Sequence, residues 1–373
     1  MTRKPLVIDA DGTLLRTDML FEGVWKGLGT DPAATLRAFG RIGDRAAFKA
    51  EIARIAPLRV DLLPVHDEVV ALIEAAKAEG REVVLASASD ISLVQPLAER
   101  FGFDRVFASE GGTNLKGAAK AEALVAAYGA QGFDYAGNGP EDMAVWQQAD
   151  QAIVVGATRA PEGATRIEGG WTPRALPNAL RPHHWVTNVP RFLPMIAAHA
   201  FYMDTFLRAC LGIVAFSAAA STIYIVNDLL DIEADRLHAT KKRRPFAAGT
   251  VPIPIGMVAC FTLALIALGT GAALSWHMFG VVAFYMALSL AYSMRLKRLR
   301  WIDIATLASL YTLRVVAGAA ASEVPASIFM LIFIFPIFIT LGCVKRMTDL
   351  ALATDDNPLP CPLYTPDAAD DLT

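Results

Sequence analysis

The chain has 373 residues, 54% of them hydrophobic, with a formal net charge of -3 and a mean hydropathy of +0.40. That excess of apolar residues excludes an ordinary soluble protein throughout; the net charge says little about partners, and no nucleic acid is expected among them. The four cysteines form no CxxC or Cys/His spacing, so neither a disulfide framework nor a zinc site is expected.

The apolar excess is uneven, and the chain reads as two domains. The first half opens with PLVIDA, a buried parallel strand that ends in Asp9 and Asp11, followed by Gly12 and Thr13. Carboxylates at the carboxyl end of such a strand lie where open α/β sheets carry their sites. Helical periodicity from about residue 15 to 80, as in PAATLRAFGRIGDRAAFKAEIARIA, predicts a helical cap. A second strand, EVVLASAS, ends in Ser87 and Ser89. KGAAKAEAL starts a helix with Lys116 and Lys120, FDYAGNGPED supplies Asn138, Glu141 and Asp142, and QAIVVGA closes the half as a strand.

DxDGT behind an apolar strand resembles the first motif of the haloacid dehalogenase-like (HAD) phosphohydrolases. The resemblance implies an α/β Rossmannoid domain over residues 1–158 in which Asp9 attacks phosphorus and Asp11 acts as general acid and base. It implies phosphoryl binding by Ser87, with Ser89 as the fallback, and by Lys120, with Lys116 as the rival. Mg²⁺ would lie on Asp9, Asp11 and Asp142. Asn138 stands where the family has an aspartate, one formal charge fewer, which Glu141 would compensate. The alternative is a degenerate regulatory or folding module.

Residues 159–187 are rich in proline and glycine and read as a linker to a membrane surface, with Trp171 and Trp185 suited to the interface. His183 and His184 are adjacent on that linker and read as polar residues rather than metal ligands. Six apolar runs follow, at about 189–203, 206–227, 252–274, 277–294, 302–321 and 325–344, the first short and interrupted by proline. Arg181 and Arg191, the run 241–244, the loop 295–300, and Lys345 with Arg346 alternate with loops that carry no basic residue. All basic loops, and with them the soluble domain, are therefore expected in the cytoplasm of a bacterial-type inner membrane.

The stretch Asn227–Gly249, NDLLDIEADRLHATKKRRPFAAG, gathers four acidic and four consecutive basic residues. On one helix Asp228, Asp231 and Asp235 would fall at i, i+3 and i+7 and share a face. Oxygen-only ligands of this kind suit Mg²⁺ shared with substrate phosphates, and Lys242, Arg243 and Arg244 would hold the remaining charge of a diphosphate. Residues 292–318 add Tyr292, Lys297, Asp303 and Arg314, the last inside an apolar span where charge is costly and usually functional.

NDxxDxxxD at Asn227, Asp228, Asp231 and Asp235 resembles the UbiA superfamily of membrane prenyltransferases. That implies an all-α transmembrane bundle at 188–346 that binds and ionises a diphosphate ester with Mg²⁺. Asn227, Tyr292, Lys297, Arg314, Lys345 and Arg346 would contact substrate beside the basic run. The family's second DxxxD is missing. KRxxxD with YSxxLKR and LYTLRxxAG looks more like the branch that includes decaprenyl-phosphate phosphoribosyltransferase, whose WVKN motif has Thr187 in place of lysine here.

The expected activity is transfer of phosphoribose from phosphoribosyl pyrophosphate to a polyprenyl phosphate, with a fused phosphatase. One alternative is prenyl transfer from a polyprenyl diphosphate to an aromatic acceptor; another is a truncated, non-catalytic remnant. Residues 347–373 read as a polar tail. Six spans against the family's nine imply that a second copy or another chain supplies helices.

Overall fold

The computed structural model describes residues 3–156 and 159–351. Within that range nothing is described of the side chains of His183, His184, Val186, Thr187, Arg298, Arg300, Lys345 and 349–351, so the readings placed on His183, His184, Thr187 and Lys345 lie outside the described residues, as does most of the expected tail. The chain divides into two compact units, Met1–Leu176 with Asp228–Ile255, and Pro177–Asn227 with Gly256–Thr373.

In the first unit, β1 (Leu6–Asp9), β2 (Val83–Asp90), β3 (Arg105–Ser109), β4 (Asp134–Gly137), β5 (Ala152–Val155) and β6 (Thr165–Ile167) form one parallel sheet of order β3-β2-β1-β4-β5-β6. The order reverses between β1 and β4, so a crevice opens beyond their carboxyl ends, where Asp9 and Asn138 lie. β1 is central because Leu6, Val7 and Ile8 are apolar on both faces and wholly buried. β6 falls within the expected linker, paired with β5 from Ile153↔Thr165 to Val155↔Ile167.

Local chemistry sets the helix starts. α1 (Met19–Thr30) is capped by Asp18, which accepts from the amides of Leu20 and Phe21. α2 (Pro32–Ala38) begins with proline behind the cap Asp31, and α3 (Arg45–Ile55) is capped by Asp44. These three helices stand between β1 and α4 (Asp67–Ala78). α5 (Ile91–Phe101) ends at Gly102, whose φ of 60° suits a residue without Cβ. α6 (Ala118–Tyr128) carries Lys120, and α7 (Met143–Trp146) follows Asp142.

The second unit contains α8 (Leu176–Leu180) from Pro177 on, α9 (Leu193–Ala197) and most of α10 (Met203–Leu230). After α11 (Ile232–Leu237) of the first unit come α12 (Ile253–Leu274), α13 (Trp276–Met294), α14 (Arg300–Ser322) and α15 (Ile328–Ala351). Among the described residues five helices, α10 and α12 to α15, are long and apolar enough to cross a membrane.

The first of the six expected spans is not such a helix. Pro190 and Pro194 each lack an amide hydrogen, and residues 182–192 wind as a 3₁₀ helix before the single turn of α9. The segment nevertheless runs antiparallel along α10. Ser221 donates to the Leu180 carbonyl at 2.8 Å and accepts from the Trp185 indole at 3.1 Å; Asn188 donates to Ser217 at 2.6 Å; Arg191 lies over the Phe216 ring; and Phe192 stacks on Phe206. Eleven 3₁₀ residues cover about 22 Å, the same length as the stretch of α10 from Phe206 to Ser221.

The bundle core joins Phe216 and Tyr285, ring centroids 4.2 Å apart, with Met278, Val282, Ala317 and Ala321. Glycine permits its closest approach. A Cβ at Gly318 would lie 2.1 Å from the Arg191 carbonyl oxygen, so α14 touches the 3₁₀ backbone itself. Arg191, expected in a cytoplasmic linker, is therefore wholly buried in the helical unit.

Candidate active sites

At the sheet crevice four side chains converge. Lys120 donates to Asp9 at 2.6 Å and to the Tyr135 hydroxyl at 3.1 Å, and lies 3.8 Å from Asp142. Tyr135 donates to Asp142 at 2.7 Å, and the other Asp142 oxygen accepts from the amides of Asn138 and Gly139, both at 3.0 Å. Lys120 is thus the lysine at the acids, while Lys116 pairs at the surface with Glu141 at 3.2 Å. Glu141 is turned to that partner rather than compensating for Asn138.

Asp11 accepts from the Met19 amide at 2.8 Å and from the Ser89 hydroxyl at 2.7 Å. Ser87, wholly buried, accepts from the Ser89 amide, so the fallback serine and not Ser87 reaches Asp11. Thr13 donates to both Asp9 and the Asn138 side-chain oxygen, which ties the first motif to the last. Gly12, at φ +78°, makes room: a Cβ there would be 2.2 Å from Asn138 Nδ2.

Burial raises the Asp9 carboxyl to about 7 against the opposing Lys120 ammonium, with Asp142 adding to the rise. Burial, aided by Asp18, raises Asp11 to about 7 as well. For Lys120 burial pulls downward, but Asp9 and Asp142 overcome it and the net shift is up. Tyr135 and Lys49 were not foreseen. Tyr135 sits in the last motif's own strand, a signal available in FDYAGN; Lys49, which donates to the Ala88 carbonyl and Asn114, comes from α3 with no local signature.

The acidic stretch of the first unit is not one helix. α10 stops at Leu230 and Asp231 stands at the start of α11, so the expected common face is broken at Asp231. Asp228 and Asp235 are still brought together, because Arg244 donates to both, at 3.2 and 2.7 Å. Burial raises the Asp235 carboxyl in spite of Arg244. Lys242 and Arg243 are exposed. Arg236, next to Asp235, makes a two-pronged bond to Glu22 of α1 at 2.8 and 2.5 Å.

In the second unit Asp303, 1% exposed, accepts from Arg346 at 2.5 and 2.7 Å and from Tyr292 at 2.8 Å, and Arg346 also reaches the Tyr292 hydroxyl. Lys297, in the loop between α13 and α14, is half-buried. Arg314 lies deep on α14, donating to Asn188 at 3.2 Å.

Among the described residues no three His, Cys, Asp or Glu side chains are grouped to hold a metal. The two expected triads are instead pairs, Asp9 with Asp142 and Asp228 with Asp235, each bridged by one cation. All four carboxylates are at most 7% exposed, and the buried side-chain oxygen of Asn227 has no donor. Buried carboxylate and amide oxygens are the kind of ligand that suits Mg²⁺.

Residues 6–146 match the haloacid dehalogenase-like hydrolase family and residues 192–352 the UbiA prenyltransferase family. An uncharacterized protein of Sinorhizobium fredii is 34% identical over 357 residues, covering 92% of this chain and 69% of its own. Decaprenyl-phosphate phosphoribosyltransferase of Mycobacterium tuberculosis is 36% identical over 182 residues, 47% of this chain and 60% of that one. A UbiA homolog from Archaeoglobus fulgidus, solved with GPP and Mg²⁺, is 20% identical with a TM-score of 0.42, over 48% of this chain and 64% of that one. The chain belongs to both enzyme families, a HAD-like hydrolase domain followed by a UbiA prenyltransferase-family membrane domain.

Proposed function

We propose that the membrane domain transfers phosphoribose from phosphoribosyl pyrophosphate to a polyprenyl phosphate, and that the HAD-like domain then removes the 5-phosphate at the cytoplasmic face of an inner membrane. The observation that carries the reading is the pairing of buried Asp228 and Asp235 on Arg244, in a chain 36% identical to a decaprenyl-phosphate phosphoribosyltransferase over 182 residues. Where a prenyltransferase with two acidic motifs would bring a second set of carboxylates, this chain brings Arg346, a cation suited to an acceptor that is itself a phosphate.

In the transfer, the bond from the sugar C1 to the diphosphate oxygen breaks, pyrophosphate leaves with the electron pair, and a phosphate oxygen of the lipid bonds to C1. Asp228 and Asp235 would hold Mg²⁺, which when bound would neutralise the departing pyrophosphate. Lys242, Arg243 and Arg244 hold phosphate oxygens.

In the hydrolysis, a carboxylate oxygen of Asp9 attacks phosphorus, and Asp11 gives its proton to the leaving sugar oxygen. Asp11 then takes a proton from the water that cleaves the aspartyl phosphate. Lys120 orients Asp9 and binds a phosphoryl oxygen, and Asp9 and Asp142 would hold the Mg²⁺ of this site.

Membranes carrying the chain, given Mg²⁺, labelled phosphoribosyl pyrophosphate and a polyprenyl phosphate, should form labelled lipid. Replacing Asp228 and Asp231 together by Ala should lower that rate on the order of 10²–10³-fold or more. Activity that survives the double change removes the assignment.

The phosphatase should show a narrow pH optimum. Asp9 must be ionised and Asp11 protonated, and both carboxyls are raised to about 7. Phosphate release from a sugar phosphate should therefore rise and fall around neutrality as one coupled bell. A rate that is flat from about pH 5 to about pH 8 would contradict those roles.

A further inference from the structure

In the first unit a half-buried cation of the helical cap holds only neutral oxygens. Lys49 of α3 donates to the Ala88 carbonyl at 2.5 Å and to Asn114 Oδ1 at 3.0 Å, and none of the ion pairs among the described residues includes it. Its place is fixed by packing. Phe48, the residue before it, is buried with Val24, Ala38 and Ile52 of α1, α2 and α3, and a Cβ at Gly23 of α1 would come 2.8 Å from Ile52 Cγ2. Burial lowers the Lys49 pKa, with Lys116 and Arg45 adding to the fall and Asp11 and Asp18 opposing it. Those two carboxylates are engaged elsewhere: Asp11 accepts from the Met19 amide and the Ser89 hydroxyl, and Asp18 from the amides of Leu20 and Phe21. A cation taken partly out of water and left with neutral partners is costly unless an anion joins it.

The placement says where that anion sits on a substrate. Ala88 lies on β2 directly before Ser89, and Ser89 holds Asp11, whereas Lys120 holds Asp9. The two lysines therefore stand on opposite sides of the reaction, Lys120 with the carboxylate that attacks phosphorus and Lys49 with the one that protonates the leaving oxygen. An anion that reaches Lys49 belongs to the leaving alcohol, not to the phosphoryl group. An ammonium has three hydrogens, so two bonds to neutral oxygens leave one for it. Space is open on that side: an added Cβ at Gly111 or Gly112, just before Asn114, would meet nothing within 4 Å. Arg45 and Lys116, both exposed, add positive charge at the rim.

We propose that Lys49 is a specificity residue of the HAD-like domain, which binds a second negative group on the alcohol side of the phosphomonoester and so selects doubly anionic sugar phosphates over those with a neutral aglycone. The inference rests on the phosphatase reading and names the group that Lys49 meets there. A ribose 5-phosphate still joined to a polyprenyl phosphate carries its second charge on the phosphodiester at C1. Asn114 orients the ammonium towards it.

The test uses the full chain purified in detergent with Mg²⁺ and compares phosphate release from two esters: methyl riboside 5-phosphate, and ribose 5-phosphate bearing a methyl phosphodiester at C1. The parent's kcat/KM should favour the diester about 10- to 100-fold, the range of one charged hydrogen bond, through KM rather than kcat. K49M should erase that preference, and K49R should keep most of it. Equilibrium binding of the labelled diester to D9N, which forms no aspartyl phosphate, should weaken by the same factor when K49M is added.

A parent that hydrolyses both esters equally well overturns the proposal. So does a K49M protein in which kcat/KM falls by one factor for both, because a lysine that only pins α3 to the Ala88 carbonyl acts on both alike. The two readings fail separately. If both esters are hydrolysed without preference, the phosphatase stands and this site is wrong. If neither is hydrolysed while D9N binds the diester more tightly than the riboside, and K49M abolishes the difference, the anion site stands and the phosphatase reading falls.

Discussion

Replacing Glu22 by Gln is expected to loosen the stretch from Ile232 to Gly249 by about 3–5 kcal/mol, the cost of removing one partner of a buried ion pair. Arg236 and Glu22 are 6% and 2% exposed at their side chains, bonded through both guanidinium ends, and Arg236 Nε also holds the Ala247 carbonyl at 3.0 Å. Gln keeps the shape and loses the charge, so the guanidinium stays buried and uncompensated. The neighbouring Lys26–Glu233 pair is about a quarter exposed and contributes much less, under about 1 kcal/mol.

Arg236 follows Asp235 directly, and Arg244 spans Asp235 and Asp228. A shift of α11 therefore moves the carboxylates on which the proposed transfer rests. Hydrogen exchange at amides 232–249 should accelerate in E22Q, and transfer should fall with it, while hydrolysis of a small phosphate ester changes little. The reversed pair, E22R with R236E, should restore part of the protection. Unchanged exchange in E22Q would mean that the loop is held by other contacts, such as Gly249 packed on Arg16, where an added Cβ would come 2.6 Å from the arginine's own.

That pair shows where the sequence stops being readable. Motifs whose members lie within a few residues were legible: the strand with Asp9 and Asp11, Lys120 at its helix start, Asp142 beside its own strand, and the acidic string at 228–235. The last five apolar runs became helices of spanning length because each is long and has no proline beyond its first turn apart from Pro336 in α15. Glu22 lies 214 residues from Arg236, and no pattern on α1 marks it. Asn188 and Arg314 are 126 residues apart.

Periodicity also misled in two places. A regular i, i+3, i+7 count assumes an unbroken helix, and the break at Asp231 leaves Asp228 and Asp235 paired through Arg244 rather than stacked on one face. The positive-inside pattern treated Arg191 as a loop residue, but prolines at 190 and 194 turn the segment into a 3₁₀ strand-like rod along α10, with its arginine inward. β6 was hidden for a related reason: three residues at a sheet edge, among glycines and prolines, carry too short a pattern to stand out.

Replacing Lys120 by Met should be the most damaging change in the soluble domain, and its damage should depend on pH. The methionine is close in length but brings no charge, leaving Asp9 and Asp142 facing each other at 7% and 3% exposure. Asp9, already raised to about 7 with the ammonium present, would be raised further without it. A carboxyl whose folded pKa exceeds its unfolded value of about 3.8 binds protons preferentially in the folded state. Its contribution to stability is intact below the unfolded value and is lost as pH rises through the folded one.

K120M should therefore melt closer to the parent at pH 4, where Asp9 is protonated, and fall behind by about 3–5 kcal/mol near pH 8, where the folded state must hold Asp9 charged beside Asp142 or keep its proton against the solvent. Asp9→Asn in the same background removes one of the two charges and should recover much of that loss without recovering hydrolysis, because the proposed nucleophile is gone. If K120M were equally destabilised at both pH values, the lysine would act by packing against Tyr135 rather than by charge. The role of Asp9 as a nucleophile held ready by its ammonium partner would then lose its support.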